Sequence, residues 1–287
     1  MRINTNINGM IATNQMTKNT ALAGASMEKL STGLRITKAG DDAAGLAVSE
    51  KMRSQIRGME QAERNVQDGI SMVQTAEGAL EEAGNIGQRM RELGVQAAND
   101  TLSAEDRTKI TEELNQLGEE MLKISAETKF NGSHLLDDAG TKTIQAGANT
   151  ETRAITKVDL KGIAETLTNG QVTIADDATN GDIAQDVDID VSAVAEAQDF
   201  IAAVDTALEA INEGRANLGA MQNRLEYTSS NLTTSTENLT AAESRIRDVD
   251  VAKEMVKLSK LNILTQASQA MVSQAKQQPE QVTQLLR

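Results

Sequence analysis

Cysteine and tryptophan are absent from this 287-residue chain, and proline, tyrosine and histidine occur once each. Without cysteine there is no disulfide framework, no thiolate metal site and no cysteine nucleophile. Tyr227, Phe130 and Phe200 are the only aromatic residues, so the large ring anchors of a compact globule are missing. A single proline, Pro279, leaves almost nothing to break long helices. No run approaches the roughly 18 apolar residues of a membrane span, and Met1–Gly9 lacks the apolar centre of a secretory signal. On composition alone the protein reads as soluble and cytoplasmic.

Chemistry is equally sparse. His134 stands beside a turn with no second ligand in sequence, the setting of a surface histidine. Adjacent acids such as Asp41-Asp42, Glu112-Glu113 and Asp137-Asp138 suggest no cleft that would perturb one of a pair. Asp182, Asp186, Asp188 and Asp190 lack the spacing and terminal glutamate of a calcium loop. There is no HExxH, phosphate loop or GxSxG. These residues predict a protein that is not an enzyme and has no cofactor or metal.

The net charge of −14 is unevenly spread. Residues 137–199 carry 13 acids and 4 bases, whereas both termini are mildly basic. A nucleic-acid binder would concentrate basic residues on one face, so that class is excluded. The acidic block reads as solvated surface.

What the chain does have is long helical periodicity. Val204, Ile211, Leu218, Leu225, Leu232, Leu239 and Ile246 recur every seven residues without a miss. Positions four further on run Leu208, Arg215, Gln222, Ser229, Thr236 and Glu243, so the opposite side turns polar. One narrow apolar stripe on a long helix is a coiled-coil seam and needs partner helices of similar length. They lie earlier in the chain. Residues 43–98 repeat Met59, Val66, Val73 and Leu80, and Ile110, Leu114, Leu117, Met121 and Ile124 form a third stripe after a capping signal at Ser103 and Asp106. Six glycines (58, 69, 78, 84, 87 and 94) inside the first run signal either tolerance or close approach of a neighbour. Phe130-Asn131-Gly132 marks a turn. Between residues 137 and 192 the composition changes, with β-like runs at Thr141–Gln145, Arg153–Leu160 and Gln171–Ala175.

The two ends form a pair. The first segment, to about Gly33, carries a patchy stripe through Ile7, Ile11, Leu22 and Leu30, while the last carries Met255, Leu258, Leu261, Leu264 and Met271 with a second flank at Val256 and Ile263. So broad a terminal face exceeds what one partner helix covers, which implies contact with the first segment and with other molecules.

Three stretches resemble bacterial flagellins. They are Leu30–Ile36 (LSTGLRI) with Ala39–Ala47 (AGDDAAGLA) and Gln55–Gly58; Gln88–Gln96 (QRMRELGVQ) with Phe130–Gly132; and Ser244–Glu254 (SRIRDVDVAKE), continuing through Asn262–Leu264 to Leu285, Leu286 and Arg287. Together these segments span about 200 residues in family order. The resemblance implies a structural subunit that polymerises into the flagellar filament, a passive helical propeller for motility. It implies export through the flagellar channel without a cleaved signal, and so an extracellular filament rather than a cytoplasmic protein. Expected partners are further copies in a helical homopolymer, an export chaperone, and the cap and hook–filament junction proteins; no nucleic acid or membrane is involved. The second stretch resembles the patch by which a host Toll-like receptor detects some flagellins, which places Gln88, Arg89, Leu93 and Glu113 as candidate contacts.

The expected fold is mainly α, an elongated antiparallel helical bundle or coiled coil with a small β-hairpin excursion in mid-chain. Residues 1–42 and 247–287 form an inner coiled-coil domain, 43–136 and 193–246 a helical rod, and 137–192 a hairpin and loop surface region. The terminal coiled coil would polymerise through Ile7, Ile11, Leu22, Leu30, Met255, Leu258, Leu261, Leu264, Met271, Leu285 and Leu286. A hook–filament junction protein shares the terminal helices but matches less of the centre. A chemoreceptor-like signalling coiled coil would need symmetric uninterrupted helices and usually an anchor.

Overall fold

A computed structural model describes residues 6–167 and 189–285, with side chains to 277. Six helices occur among them: α1 (Ile7–Thr32), α2 (Ala43–Ala97), α3 (Ala104–Glu127), α4 (Leu160–Leu167), α5 (Val194–Arg247) and α6 (Val251–Leu285). Two antiparallel hairpins, β1 (Lys129–Phe130) with β2 (Ser133–His134) and β3 (Thr141–Gln145) with β4 (Thr152–Thr156), lie between α3 and α4. The chain divides into two compact units, one of residues 1–56 and 236–287 and one of residues 57–235, and the division falls inside α2 and α5.

The second unit holds the main core. Its α2 stretch buries Met59, Val66, Val73 and Leu80 in one heptad row, and Ala62, Ala76, Ala83, Met90 and Ala97 in another. The facing row on α5 is larger: Val204, Ile211, Leu218, Leu225 and Leu232 are all buried. Small residues on one helix let the large ones on the other come close. A Cβ added at Gly87 would meet Leu208 Cδ2 at 2.9 Å, and one at Gly94 would meet Phe200 Cδ1 at 3.2 Å. As residue numbers rise along α2 the α5 partners fall, so the helices run antiparallel. Of the two explanations for the α2 glycines, close approach holds at 58, 69, 87 and 94, whereas nothing lies near Gly78.

Helix α3 begins at an N-cap, Ser103, whose hydroxyl accepts from the Asp106 amide at 3.2 Å. Its buried face is Ile110, Leu114, Gly118, Met121, Leu122 and Ser125, one step off the expected stripe, and Leu117 and Ile124 are half-buried. The β1–β2 turn has positive φ at both Asn131 (49°) and Gly132 (77°), the backbone that a two-residue hairpin needs.

Residues 137–192 are not merely solvated surface. Ile155, Leu160, Leu167, Ile189 and Val191 are buried, and the Ser125 hydroxyl donates to the Leu136 carbonyl at 3.0 Å within the core. Among the described residues Asp138, Glu151 and Asp190 are exposed while Ile155, Leu160 and Ile189 turn in, a distinction that average charge conceals. Strand β4 stops at Thr156 instead of reaching Leu160. The reason is local: Asp159 Oδ1 accepts from the Gly162 amide at 2.8 Å, and Leu160, Ala164 and Leu167 share one helical face. The expected run Gln171–Ala175, and Asp182, Asp186 and Asp188, lie outside the described residues.

In the first unit, α1 packs on α6. Helix α1 starts at Asn6, whose side chain accepts from the Gly9 amide, and stops at Gly33 with φ 73°. Asp42 Oδ1 accepts from Gly45 at the start of α2, whereas Asp41 turns back to the Thr37 and Lys38 amides. The connectors after α1 and after α5 pair antiparallel: Arg35 donates to the Arg247 carbonyl at 2.6 Å and Val249 to the Gly33 carbonyl at 3.0 Å.

Two substitutions separate the roles of the glycines. Gly58→Ala would place a Cβ 2.9 Å from Ala148 Cβ and 3.2 Å from its Cα, and should destabilise the full chain by about 1–3 kcal/mol. Gly78→Ala meets nothing and should stabilise by up to about 1 kcal/mol. Urea midpoints that move in the same direction for both would contradict this packing.

Candidate assembly surface

The α1–α6 seam mixes small and polar residues with a few large apolar ones. Inward positions step through Gly9, Ala12, Met16, Asn19, Ala23, Ser26 and Leu30 on α1. On α6 they step through Glu254, Leu258, Leu261, Thr265, Ser268, Val272 and Ala275. Both series alternate three- and four-residue steps, the spacing of a coiled-coil interface. Only Asn19, Ser26, Leu261 and Ala275 are fully buried among them. Polar ties accompany the packing: Asn19 Nδ2 donates to Ser268 Oγ at 3.3 Å and Asn6 Nδ2 to the Ala275 carbonyl at 2.7 Å. The Ser26 hydroxyl and the Lys257 ammonium, 3.1 Å away, hold the Glu254 carboxyl below its ordinary 4.5.

Because the seam takes these positions, most of the large apolar side chains point elsewhere. Ile7, Met10, Ile11, Leu22 and Met27 are exposed on α1, as are Val251, Met255, Val256, Ile263, Leu264 and Met271 on α6. Val256 retains 72% of its surface and Ile263 63%. Of the residues expected in the terminal coiled coil, Leu261 is buried in the seam and Leu30 and Leu258 are half-buried. Ile7, Ile11, Leu22, Met255, Leu264 and Met271 face outward instead. The Leu285 side chain and the whole of Leu286 lie outside the described residues. The sequence reading missed Asn19, Ser26, Glu254 and Ser268 as seam positions, since it followed hydrophobicity; the signal was the unbroken 3–4 spacing of small residues.

At the base of this unit Arg247 closes the junction. Its Nη1 lies 2.7 Å from Glu50 Oε1 and 3.3 Å from Ser49 Oγ, with Glu243 at 3.9 Å. The Arg247 hydrogen bond, then the Arg53 charge, lower the Glu50 carboxyl. No heptad pattern announces such a pair, because its partners are almost 200 residues apart.

The second candidate patch is on α2 and α3. Arg89 Nη2 bonds Glu113 Oε1 at 2.9 Å and its Nη1 bonds Glu92 Oε2 at 3.0 Å, so the guanidinium spans both helices at the surface. Gln88 is exposed beside it. Leu93 is 2% exposed, and Met90 and Ala97 on the same helix are buried as well.

The described residues form a mainly helical protein whose two terminal helices pair with each other and leave apolar side chains uncovered. Comparison with known proteins gives that class its family. A profile of the bacterial flagellin N-terminal helical region matches residues 3–141, and one of the C-terminal helical region matches residues 201–286. A flagellin of Halalkalibacterium halodurans is 52% identical, with the whole of both chains covered. The flagellar filament 33 kDa core protein of Treponema phagedenis is 44% identical, again over both whole chains. Among solved structures, a candidate flagellar hook-associated protein from Vibrio parahaemolyticus shares the fold alone. It covers 72% of this chain and 100% of its own, with a TM-score of 0.57 at 11% identity. The chain belongs to the flagellin family. It is a structural subunit of the bacterial flagellar filament, and no described helix is long and apolar enough to cross a membrane.

The lowered carboxyls fix the sign of an acid response. Each folded value lies below the ordinary 4.5, so the stabilisation is present above that pH and is lost as pH falls through the folded value. Acidifying monomers below about pH 4.5 should therefore loosen α1 against α6. Glu254→Gln should flatten that dependence, as followed by hydrogen exchange of α1 amides. An α1 protection profile equally acid-sensitive in the variant would assign the effect elsewhere.

Proposed function

We propose that polymerisation is carried by the outward faces of α1 and α6, with residues 1–42 and 247–287 forming the inner part of the filament. Residues 43–136 and 193–246 then form the rod around it, and 137–192 the outer surface. What supports this reading is the direction of the apolar side chains: Val256, Ile263, Ile11 and Met271 are exposed and lie off the α1–α6 seam. Full burial of such a side chain contributes about 1.5–3 kcal/mol. Ordering a residue's backbone costs about 1–2 kcal/mol. In a lone subunit these nearly cancel along the terminal pair; with neighbours on the outer faces, burial wins. Ordering of the ends is thereby coupled to addition at the filament tip.

The same coupling gives a route outward. Ends held by a thin polar seam are readily opened for passage through an export channel and for an export chaperone, and close again against cap, junction or filament subunits outside the cell. The resemblance to receptor-detected flagellins supports recognition of monomers by a Toll-like receptor through Gln88, Arg89, Leu93 and Glu113.

Val256→Asp combined with Ile263→Asp leaves the seam untouched and should abolish seeded elongation while the helical content of monomers is kept. Normal filaments from that variant would overturn the assignment of these faces. Arg89→Ala should weaken receptor signalling by monomers, since a guanidinium ordered on two carboxylates presents a pre-set hot spot. An unchanged dose–response curve would remove the patch.

A further inference from the structure

We infer that Met10, Met27, Met255 and Met271 are an oxidation site that gates assembly, with a hydroperoxide as the reacting partner. The inference rests on the proposed assembly faces. Twelve methionines are the chain's only sulfur, since cysteine is absent, and no tryptophan competes for a two-electron oxidant. Their placement is uneven. Every methionine that is exposed among the described residues lies on α1 or α6: Met10 is 56% exposed, Met27 58%, Met255 55% and Met271 59%. The core keeps Met59, Met90 and Met121 at 9% or less, and the remaining described ones are half-covered. The reactive sulfurs are thus collected on the two helices whose outer faces the polymer covers, next to Ile11, Val256 and Leu264.

The chemistry balances without a cofactor. A thioether lone pair attacks one peroxide oxygen, so the S–O bond forms as the O–O bond breaks. Sulfur gives up two electrons. The departing hydroxide (or alkoxide, from an organic hydroperoxide) takes the proton left on the transferred oxygen and leaves as water (or alcohol). The product sulfoxide is polar and chiral where an adaptable apolar side chain stood, and burying it against a neighbour lacks the gain that drives elongation. Subunits still outside the polymer are open to this reaction, while incorporated ones are shielded, so oxidant stress halts growth without dissolving existing filaments. Reductases for the two sulfoxide epimers reverse it.

The test uses full-length monomers treated with hydrogen peroxide, peptide mass mapping of each methionine, and seeded elongation followed by light scattering. Sulfoxide should accumulate at the four sites ahead of Met59, Met90 and Met121, with elongation slowed roughly tenfold. Reductase treatment should restore elongation in step with loss of the four sulfoxides. A quadruple variant, Met10→Leu, Met27→Leu, Met255→Leu and Met271→Leu, should elongate equally before and after peroxide. Normal elongation by monomers oxidised at all four sites would overturn the gate, as would a quadruple variant that peroxide still inhibits. If that variant fails to elongate at all, the reductase series on the natural chain decides, and recovery that does not follow the four sites counts against the inference. Assembled filaments given the same dose should keep the four thioethers. Rapid oxidation there, like growth of the Val256→Asp, Ile263→Asp chain, would overturn the assembly faces themselves and not the sulfur chemistry.

Discussion

The close approach of α2 to α5 is the contact on which the core unit depends. A helix pair spaced for leucine on both sides would leave voids along α2, where Ala62, Gly69, Ala76, Ala83 and Gly87 carry almost no side chain. The α5 row of valine, isoleucine and leucine fills that space. Dense packing with few large residues follows, which is how a chain lacking tryptophan builds a buried interior. The approach also sets where the β3–β4 hairpin can rest: Ile144 and Ala148 reach Gly69 and Gly58 on the same helix.

The terminal pair uses the opposite arrangement. Its seam is rich in small and polar residues, with buried Asn19 and Ser26 beside Leu261, and most of its large side chains point out. A buried asparagine fixes register at some cost in stability. The unit therefore has a defined pairing but an incomplete core, and the difference between the two units is one of where leucine and methionine sit within an equally regular heptad frame.

The helices were legible because period, caps and stops agreed: Ser103, Gly33 and the Asn131-Gly132 turn fall where local chemistry puts them. The inward side of α6 was not, because hydrophobicity marks faces that want cover without saying whether the cover belongs to the same chain. Leu93 shows the converse, a residue whose family resemblance suggested a partner and whose stripe position put it inside. The buried residues of the acidic middle, such as Ile155 and Leu160, were hidden by averaging charge over a segment that also holds exposed acids such as Asp138 and Glu151. Long-range ties such as Arg247 to Glu50 leave no local trace.

The paired connectors have a mechanical consequence. Arg35 and Val249 donate across to the opposite strand, and the Arg35 guanidinium also grips the Ile246 carbonyl. A pull or twist on α6 passes along the backbone into the end of α5, and reaches the start of α2 only across, through the paired connectors and through Arg247 to Glu50. Hydrogen bonds lying crosswise between the two strands would have to shear together rather than peel one by one. The junction is thus a splice of two cords, and torque entering by one terminal helix leaves shared between both.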